Sequence, residues 1–201
     1  MKTIKKIVLT GGPCSGKSTF MEVAQQVFPA YGYHVFLDHE AATDLISGGL
    51  SPATMGMYQF QKYVISLQLQ KEEIFNKAAE EIDQDKVLIL MDRGILDDKG
   101  YVSAEEFKEI LKDFNIKEEE LNGRYDMVVH LETSAKGSAS IYTLTDNIAR
   151  YEDVDEAIKV DNMIVDSWSK HPVRVQIAPE DDVHKKLDKA IEEILKFLGE
   201  K

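Results

Sequence analysis

Apolar residues along the chain fall into two patterns, short continuous runs and longer stretches at helical spacing. The short runs are rich in β-branched residues, which favour strands. They cover residues 5–10, 34–37, 87–91, 127–131 and 173–177. The helical stretches lie between and after them, at 18–28, 41–46, 53–82, 104–114, 153–168 and 180–198. This alternation predicts one α/β domain over residues 1–201, with a five-stranded parallel sheet covered by helices on both faces.

The longest predicted helix, 53–82, carries two side-chain patterns. One is an apolar stripe formed by Phe60, Val64, Leu67, Ile74, Ala78 and Ile82. The other places Gln61, Gln68 and Glu72 at spacings of seven and four, so that they share a face with Ile65. Amides on such a face would suit hydrogen bonds to a nucleobase or sugar. The same spacing is typical of a solvated face, and periodicity alone favours that alternative.

A glycine-rich turn joins the first strand to the first helix and carries the most specific motif in the chain. It reads Gly11-Gly12-Pro13-Cys14-Ser15-Gly16-Lys17-Ser18, followed by Thr19. This matches the phosphate-binding pattern of Gly, four residues, then Gly-Lys-Ser/Thr. In that pattern backbone N–H groups wrap a triphosphate, the lysine lies between the β- and γ-phosphates, and the serine hydroxyl faces Mg²⁺. The sequence therefore predicts a nucleoside triphosphate site at residues 11–19.

Ionisable residues directly follow two of the predicted strands, where parallel sheets place their ligands. Asp92 suits a ligand of Mg²⁺ or of a Mg²⁺-bound water. Arg93 suits a clamp on phosphate or an acidic substrate, or else an ion pair with Asp97 or Asp98. Glu40 suits a base that takes a proton from an acceptor hydroxyl, with Asp38 as the fallback. The alternative for Glu40 is stabilisation of the first turn of the helix it precedes.

The polar segment at about 134–150 resembles a lid, with Arg150 near its end. Closing a lid excludes water, and an arginine can neutralise charge on a transferred phosphoryl group. The alternative is an ordinary surface loop with an exposed arginine.

Ser134-Ala135-Lys136 is similar to a guanine-contacting tripeptide of small GTPases, but the Asn-Lys-x-Asp element that should precede it is absent. Arg93 occupies the position where a mechanical AAA-type motor would carry a glutamate, which favours phosphate transfer over hydrolysis.

Composition narrows the classes of partner. The chain has 24 Lys and Arg residues against 36 Asp and Glu residues, a formal net charge of −12, which argues against non-specific nucleic-acid or anionic-membrane binding. Cys14 is the only cysteine, so no intramolecular disulfide can form, and a reducing, cytoplasmic location is expected. The histidines lack metal-ligand spacing, so we expect no structural metal. No apolar run approaches membrane-spanning length.

The ordered motifs resemble the P-loop AAA-domain family that includes the nucleotide-binding part of the TRPL translocation defect protein and many bacterial ATP-binding proteins. Short matches follow the phosphate-binding motif, and together they cover most of the chain in the right order. They are residues 40–46, Phe60-Gln61 with Gln68 and Glu72, Asp92-Arg93-Gly94 with Asp97, 125–126 with 130–133, 146–152, and Ala157, Asp161, Trp168 and His171-Pro172.

The resemblance implies a three-layer P-loop NTPase fold similar to that of nucleoside and nucleotide kinases, with ATP or GTP and Mg²⁺ as cofactors. It implies catalytic roles for Lys17, Glu40, Asp92, Arg93 and Arg150, and metal ligation by Ser18 and Asp92. It also favours a substrate role for one set of polar residues over the solvated alternative. That set is Glu40, Gln61, Gln68, Glu72, Arg93 and Asp97.

Two functional hypotheses follow from these patterns. The first is a Mg²⁺-dependent kinase that transfers the γ-phosphate to a small metabolite such as a nucleoside or nucleotide. The alternative is a nucleotide-dependent regulatory module that hydrolyses ATP or GTP slowly. Both predict a nucleotide partner, and the first adds a small-molecule acceptor. The sequence leaves open the acceptor, the choice between ATP and GTP, and whether the chain is a monomer or a homodimer.

Overall fold

Five parallel strands form one sheet in the computed structural model, which describes residues 2–137 and 154–200. The strands are β1 (Thr3–Thr10), β2 (His34–Asp38), β3 (Lys86–Asp92), β4 (Met127–Leu131) and β5 (Arg174–Ile177). Their order across the sheet is β2-β3-β1-β4-β5, and each neighbouring pair is parallel. The predicted parallel sheet is confirmed.

Helices connect the strands in the described parts of the chain. They are α1 (Lys17–Val27), α2 (Ala41–Ser47), α3 (Pro52–Met55), α4 (Met57–Glu81), α5 (Ala104–Asp113), α6 (Glu118–Leu121), α7 (Val154–Ser167) and α8 (Val183–Leu198). Short 3-10 turns lie at Phe28–Tyr31, Ile95–Gly100, Asn122–Arg124 and Ser134–Lys136. A capping box begins α5, since the Ser103 side chain accepts the Glu106 amide and the Glu106 side chain accepts the Ser103 amide.

Alternate side chains of β1 enter opposite halves of the core. Ile7 and Leu9 pack with Phe20 of α1 and Leu187 of α8 on one face of the sheet. Val8 packs with residues of α4, α5 and α7 on the other face, among them Ile65, Phe107 and Ile164. The sheet is thus the middle of three layers. Because β1 lies between β3 and β4, the turn after β1 has the ends of both neighbours beside it.

The prediction of one uninterrupted helix over 53–82 is wrong. Gly56 breaks it into α3 and α4, with φ of 84° and ψ of 152°. This backbone conformation is far from helical and is accessible to glycine but not to residues with a Cβ. The break turns the chain so that Pro52 and Met57, on either side of Gly56, line the same cavity.

The predicted apolar stripe of α4 holds in its first half and fails at Ile74, while Ile82 packs against the core. Phe60 and Val64 are buried, but Ile74 is 64% exposed. The buried face instead includes Gln61, Gln68 and Glu72, at 4%, 7% and 3% exposed. The solvated alternative for this polar face, which periodicity alone favoured, is therefore wrong. The reason is tertiary, because α4 packs against β2, β3 and the Ile95–Gly100 turn.

We expect the break at Gly56 to depend on glycine. A Cβ at Gly56 would meet no atom within 4 Å, so Gly56→Ala tests the backbone conformation alone. It should lower the free energy of unfolding by about 1–3 kcal/mol in a urea titration.

Gly123→Ala is the matched control, because a Cβ there also meets no atom within 4 Å and the backbone is outside the positive-φ region. Its unfolding free energy should stay near that of the wild type or rise slightly. Equal losses in the two variants would contradict the conformational explanation.

Candidate functional site

The glycine-rich turn after β1 has a tightly constrained backbone. Gly11 has φ of 143°, and a Cβ there would lie 2.1 Å from the carbonyl oxygen of Leu131 in β4. Gly16 has φ of 93° and precedes the first residue of α1. Both conformations favour glycine. The turn therefore has the strand before it and the helix after it that the phosphate-binding pattern demands.

Three consecutive carbonyl groups of this phosphate loop are held from outside the loop. The hydroxyl of Thr133 donates to the carbonyl oxygen of Pro13 at 2.5 Å. The hydroxyl of Ser134 donates to the carbonyl oxygen of Cys14 at 2.9 Å, and Nζ of Lys186 donates to that of Ser15 at 2.8 Å. In a trans peptide the next N–H points opposite to the carbonyl. The N–H groups of residues 14–16 are thereby turned away from these anchors, toward the inside of the loop.

The side chain of Lys17 extends back along the loop that precedes it and contacts three loop residues. Its Nζ lies 3.1 Å from the carbonyl oxygen of Gly11, 3.3 Å from that of Gly12 and 3.2 Å from Oγ of Ser15. The side chain is 4% exposed. This position places a cation at the mouth of a turn whose N–H groups face inward, an arrangement suited to an anionic ligand.

Asp92, the last residue of β3, is the described carboxylate best suited to a cation beside the loop. Its Oδ1 is buried and has no hydrogen-bond partner. Burial raises the pKa of Asp92, while the positive charge of Lys17 opposes that rise. Ser18 and Thr19 are exposed at the start of α1. Among the described residues, no group of three Asp, Glu, His or Cys side chains could hold a metal ion.

Arg93 joins the phosphate loop to Glu40, the residue before α2. It has a positive φ of 75°. Its Nε donates to Oε1 of Glu40 at 2.5 Å, and its Nη1 donates to the carbonyl oxygen of Gly11 at 3.3 Å. Nη1 also lies 3.9 Å from Oδ2 of Asp97. The predicted ion pair with Asp97 is present, and Glu40 is the closer partner.

Glu40 sits directly before α2 and faces the space between α2 and α4. Its Oε2 accepts a hydrogen bond from Thr43 at 2.6 Å while its Oε1 accepts from Arg93. It makes no side-chain bond to the first backbone amides of α2. One of its contacts is therefore within the first turn of α2, and the other is with Arg93 at the crevice.

A cavity of about 280 Å³ lies beside the loop residue Pro13, between α2, α4 and the Ile95–Gly100 turn. Its apolar walls include Ile46, Met57, Phe60, Val64 and Tyr101. Its polar groups include Glu40, Gln61, Gln68, Arg93 and Asp98. The structure thus brings four of the predicted substrate residues to one cavity.

Three polar groups in this cavity keep a buried oxygen without a partner. These are Oε1 of Gln61, Oε1 of Gln68 and Oδ2 of Asp98. A buried amide oxygen without a donor is costly, so unpaired groups grouped in one cavity indicate a site that a polar ligand completes.

Asp98 was not predicted as a site residue. It is 3% exposed and lines the cavity. Burial, and then the charge of Asp97, raise the pKa of Asp98 well above its ordinary value, which favours the uncharged acid. In the sequence it stood out only as one of two ion-pair candidates for Arg93, six residues after β3 ends.

Two predicted substrate residues are buried outside the cavity lining. Glu72 accepts hydrogen bonds from Arg124 and from the hydroxyl of Tyr125 at 2.6 Å. Asp97 accepts from Thr10 at 2.5 Å and from the indole N–H of Trp168 at 2.6 Å. The structure places both as supports of the segment after β3. Of the lid-like segment, only residues 134–137 are described, and Arg150 lies outside the described residues.

Two further charged residues at the loop were missed. Lys186 of α8 is 2% exposed, and burial lowers its pKa to about 8. Asp161 of α7 is fully buried and accepts the Gly12 amide at 2.7 Å. A signal for Asp161 existed, since it is among the residues of the family resemblance and lies four residues after Ala157 and three before Ile164, which are both buried.

The family model described as an AAA domain matches residues 6–186. The chain belongs to this AAA-domain family. Together with the loop geometry, the match makes the protein a P-loop nucleotide-binding domain. No curated protein matches the chain.

A solved structure of deoxyadenosine kinase from M. mycoides with bound dATP is similar in fold. The TM-score is 0.60 with 15% sequence identity, covering 94% of this chain and 98% of that one. This likeness confirms the predicted kinase-like α/β fold. Among the described helices, none is long and apolar enough to cross a membrane.

Asp38, the fallback base, is buried at the end of β2 and should give the stability a pH dependence. Its Oδ1 lies 3.1 Å from Nζ of Lys71. Burial raises its pKa from 3.8 to about 6, although Lys71 opposes the rise. The folded state therefore holds this proton more tightly than the unfolded chain does. The stabilisation is complete below about pH 4 and is lost as the pH rises through about 6.

We expect the wild type to lose roughly 2–3 kcal/mol relative to Asp38→Asn between pH 4 and 7, because the asparagine cannot ionise. Urea titrations of both proteins at matched pH values measure this difference. Lys71 keeps Asp44 as a partner at 3.0 Å in the variant. A difference that stays constant over this range would contradict the raised pKa.

Proposed function

We propose that the protein is a Mg²⁺-dependent phosphotransferase that moves the γ-phosphate of ATP to a hydroxyl group of a small, uncharged metabolite of the nucleoside class. The observation that carries the proposal is the cavity beside the phosphate loop. A protein that only binds or hydrolyses a nucleotide needs the loop and a water molecule. A second cavity with buried, unpaired polar groups is what a phosphoryl acceptor requires.

The donor side of the proposed reaction is the phosphate loop. Inward N–H groups of residues 14–16 and the ammonium of Lys17 would hold the β- and γ-phosphates. The unpaired oxygen of Asp92 and the hydroxyl of Ser18 would hold Mg²⁺, which supplies neutralisation of phosphate charge when bound. GTP fits the same loop, because its contacts are to phosphates.

The acceptor side is the cavity, and Glu40 connects the two sides. The attacking hydroxyl oxygen forms the bond to the γ-phosphorus, the bond to the bridging oxygen of ADP breaks, and Glu40 takes the hydroxyl proton. Arg93 holds Glu40 in place and adds positive charge next to Gly11 of the loop. Arg93 therefore connects the phosphate loop, which would hold the donor, to Glu40, the proposed base at the acceptor cavity.

The charges in the cavity favour an acceptor that lacks phosphate. Arg93 is the sole Lys or Arg among the described lining residues, and it is already paired with Glu40 and Asp97. Glu40 would repel a phosphate, whereas the amides of Gln61 and Gln68 suit the N–H and O–H groups of a base or sugar. The shared fold with a deoxyadenosine kinase supports the nucleoside class over other small alcohols.

The direct test is phosphoryl transfer in a single turnover with γ-labelled ATP and a panel of nucleosides and their monophosphates. We expect label on at least one nucleoside and none on the monophosphates. Lys17→Ala should reduce transfer by about a hundredfold or more, because the cation on the transferred group is lost.

Lys77→Ala is the matched control, since Lys77 is exposed on α4 and pairs with Glu73. Its transfer rate should equal that of the wild type. Release of free phosphate from the wild type with every member of the panel would make the kinase proposal wrong and favour the slow hydrolase.

The amide of Gln68 should contribute to acceptor binding and not to nucleotide binding. Gln68→Leu removes the polar group at similar size, and we expect the KM for the acceptor to rise about tenfold or more, because polar ligand groups lose their partner. The dissociation constant for ATP should not change. Both are measured by steady-state kinetics and calorimetry.

Gln70→Leu is the matched control on the same helix, because Gln70 is exposed and bonds Ser66 in its own helix at 3.4 Å. Its acceptor KM should stay unchanged. An equal rise in both variants would show that Gln68 acts through the stability of α4.

A further inference from the structure

Asp161 is a buried charge that the proposed chemistry does not use. It lies on α7 between Ala157 and Ile164 and is fully buried. Burying a carboxylate is costly unless several partners compensate for the lost water. Its contacts therefore decide what it does.

One oxygen of Asp161 binds the phosphate loop and the end of β4 at once. Oδ1 accepts the backbone amide of Gly12 at 2.7 Å and that of Thr133 at 3.2 Å. Thr133 in turn donates its hydroxyl to the carbonyl oxygen of Pro13. Asp161 thus reaches the loop directly at Gly12 and indirectly, through Thr133, at Pro13.

Two basic side chains keep the Asp161 carboxylate charged. Nζ of Lys136 lies 2.6 Å from Oδ2, and Nε2 of His130 lies 3.1 Å from Oδ1. Burial alone would raise the pKa of Asp161, but the hydrogen bonds and charges of His130 and Lys136 hold the pKa well below its usual range. A charged acceptor makes stronger hydrogen bonds to the two amides than a neutral one would.

The close approach of Asp161 also explains why residue 12 is a glycine. A Cβ at Gly12 would lie 2.9 Å from Cβ of Asp161 and 3.0 Å from its Oδ1. The backbone at Gly12 is outside the positive-φ region, so glycine is required here for space rather than for conformation. The backbone of the loop and the Asp161 side chain of α7 are therefore too close at this point to admit a larger residue.

We propose that Asp161 is a positioning residue that holds the phosphate loop in its nucleotide-binding conformation before the nucleotide arrives. It fixes the outward peptide group at Gly12, while Thr133, Ser134 and Lys186 fix the three carbonyls that follow. This inference rests on the proposed nucleotide binding, and it concerns affinity for the nucleotide rather than for the acceptor. A loop that must first be ordered binds its ligand more weakly, in proportion to the fraction of ordered molecules.

The test compares Asp161→Ala, Asp161→Asn and the control Asp166→Asn by calorimetric titration with ATP and Mg²⁺. Asp166 lies on the same helix and its side chain is exposed. We expect Asp161→Ala to weaken ATP binding by about tenfold or more, because two amides lose a charged acceptor. Asp161→Asn should recover part of this loss, since an amide oxygen can still accept from Gly12. The control should match the wild type.

Further readouts separate positioning from general damage to the fold. The KM for the acceptor should not change in Asp161→Ala, and an equal loss of affinity for ATP and acceptor would overturn the proposal. ATP affinity within twofold of the wild type would also overturn it.

Should Asp161→Ala not fold, amide hydrogen exchange of the nucleotide-free wild type decides the question. Protection of the Gly12 amide supports the proposal, and exchange at the rate of an unprotected amide overturns it. A wild type that binds no ATP would instead contradict the proposed function itself.

Discussion

The site depends on hydrogen bonds from side chains outside the phosphate loop to the peptide groups of the loop. Carbonyls of residues 13–15 are bound by side chains from the end of β4 and from α8, and the Gly12 amide is bound by α7. Because each peptide is planar and trans, fixing its outward half fixes the direction of its inward half. A nucleotide-binding loop held in this way avoids an ordering cost when its ligand binds.

Side chains that contact two elements at once also connect the loop to the proposed acceptor cavity. Arg93 contacts Gly11 of the loop on one side and Glu40 on the other, and Asp97 beneath it binds Thr10 and Trp168. The segment after β3 is therefore tied to the central strand, to α2 and to α7. The position of this segment sets the distance between the phosphate loop and the cavity. Mutations of the residues that hold it, such as Asp97, should therefore affect the proposed phosphoryl transfer without contacting either ligand.

Much of the fold could be predicted from the order of apolar and polar residues along the chain. Strands, most helices, the phosphate-binding motif and the parallel sheet all follow from local periodicity and one specific motif, and the structure confirms them. The errors about burial share a cause. Gln61, Gln68 and Asp161 are polar residues on buried faces, and Ile74 is an apolar residue on an exposed one. Hydrophobicity predicts burial only on average, and a polar side chain is buried wherever the fold supplies partners for it.

Local sequence determined the elements, the loop and its need for glycine at positions 11 and 16, because these depend on backbone sterics and on spacing along a few residues. Tertiary structure decided the rest. It separated Glu72 from Gln61 and Gln68, although all three share one helix face, by giving Glu72 the partners Arg124 and Tyr125. It also brought Asp161 and Lys186 to the loop from about 150 and 171 residues away along the chain. Such contacts depend on how helices pack across the sheet, and short-range periodicity carries no information about which distant residue will meet a given peptide group.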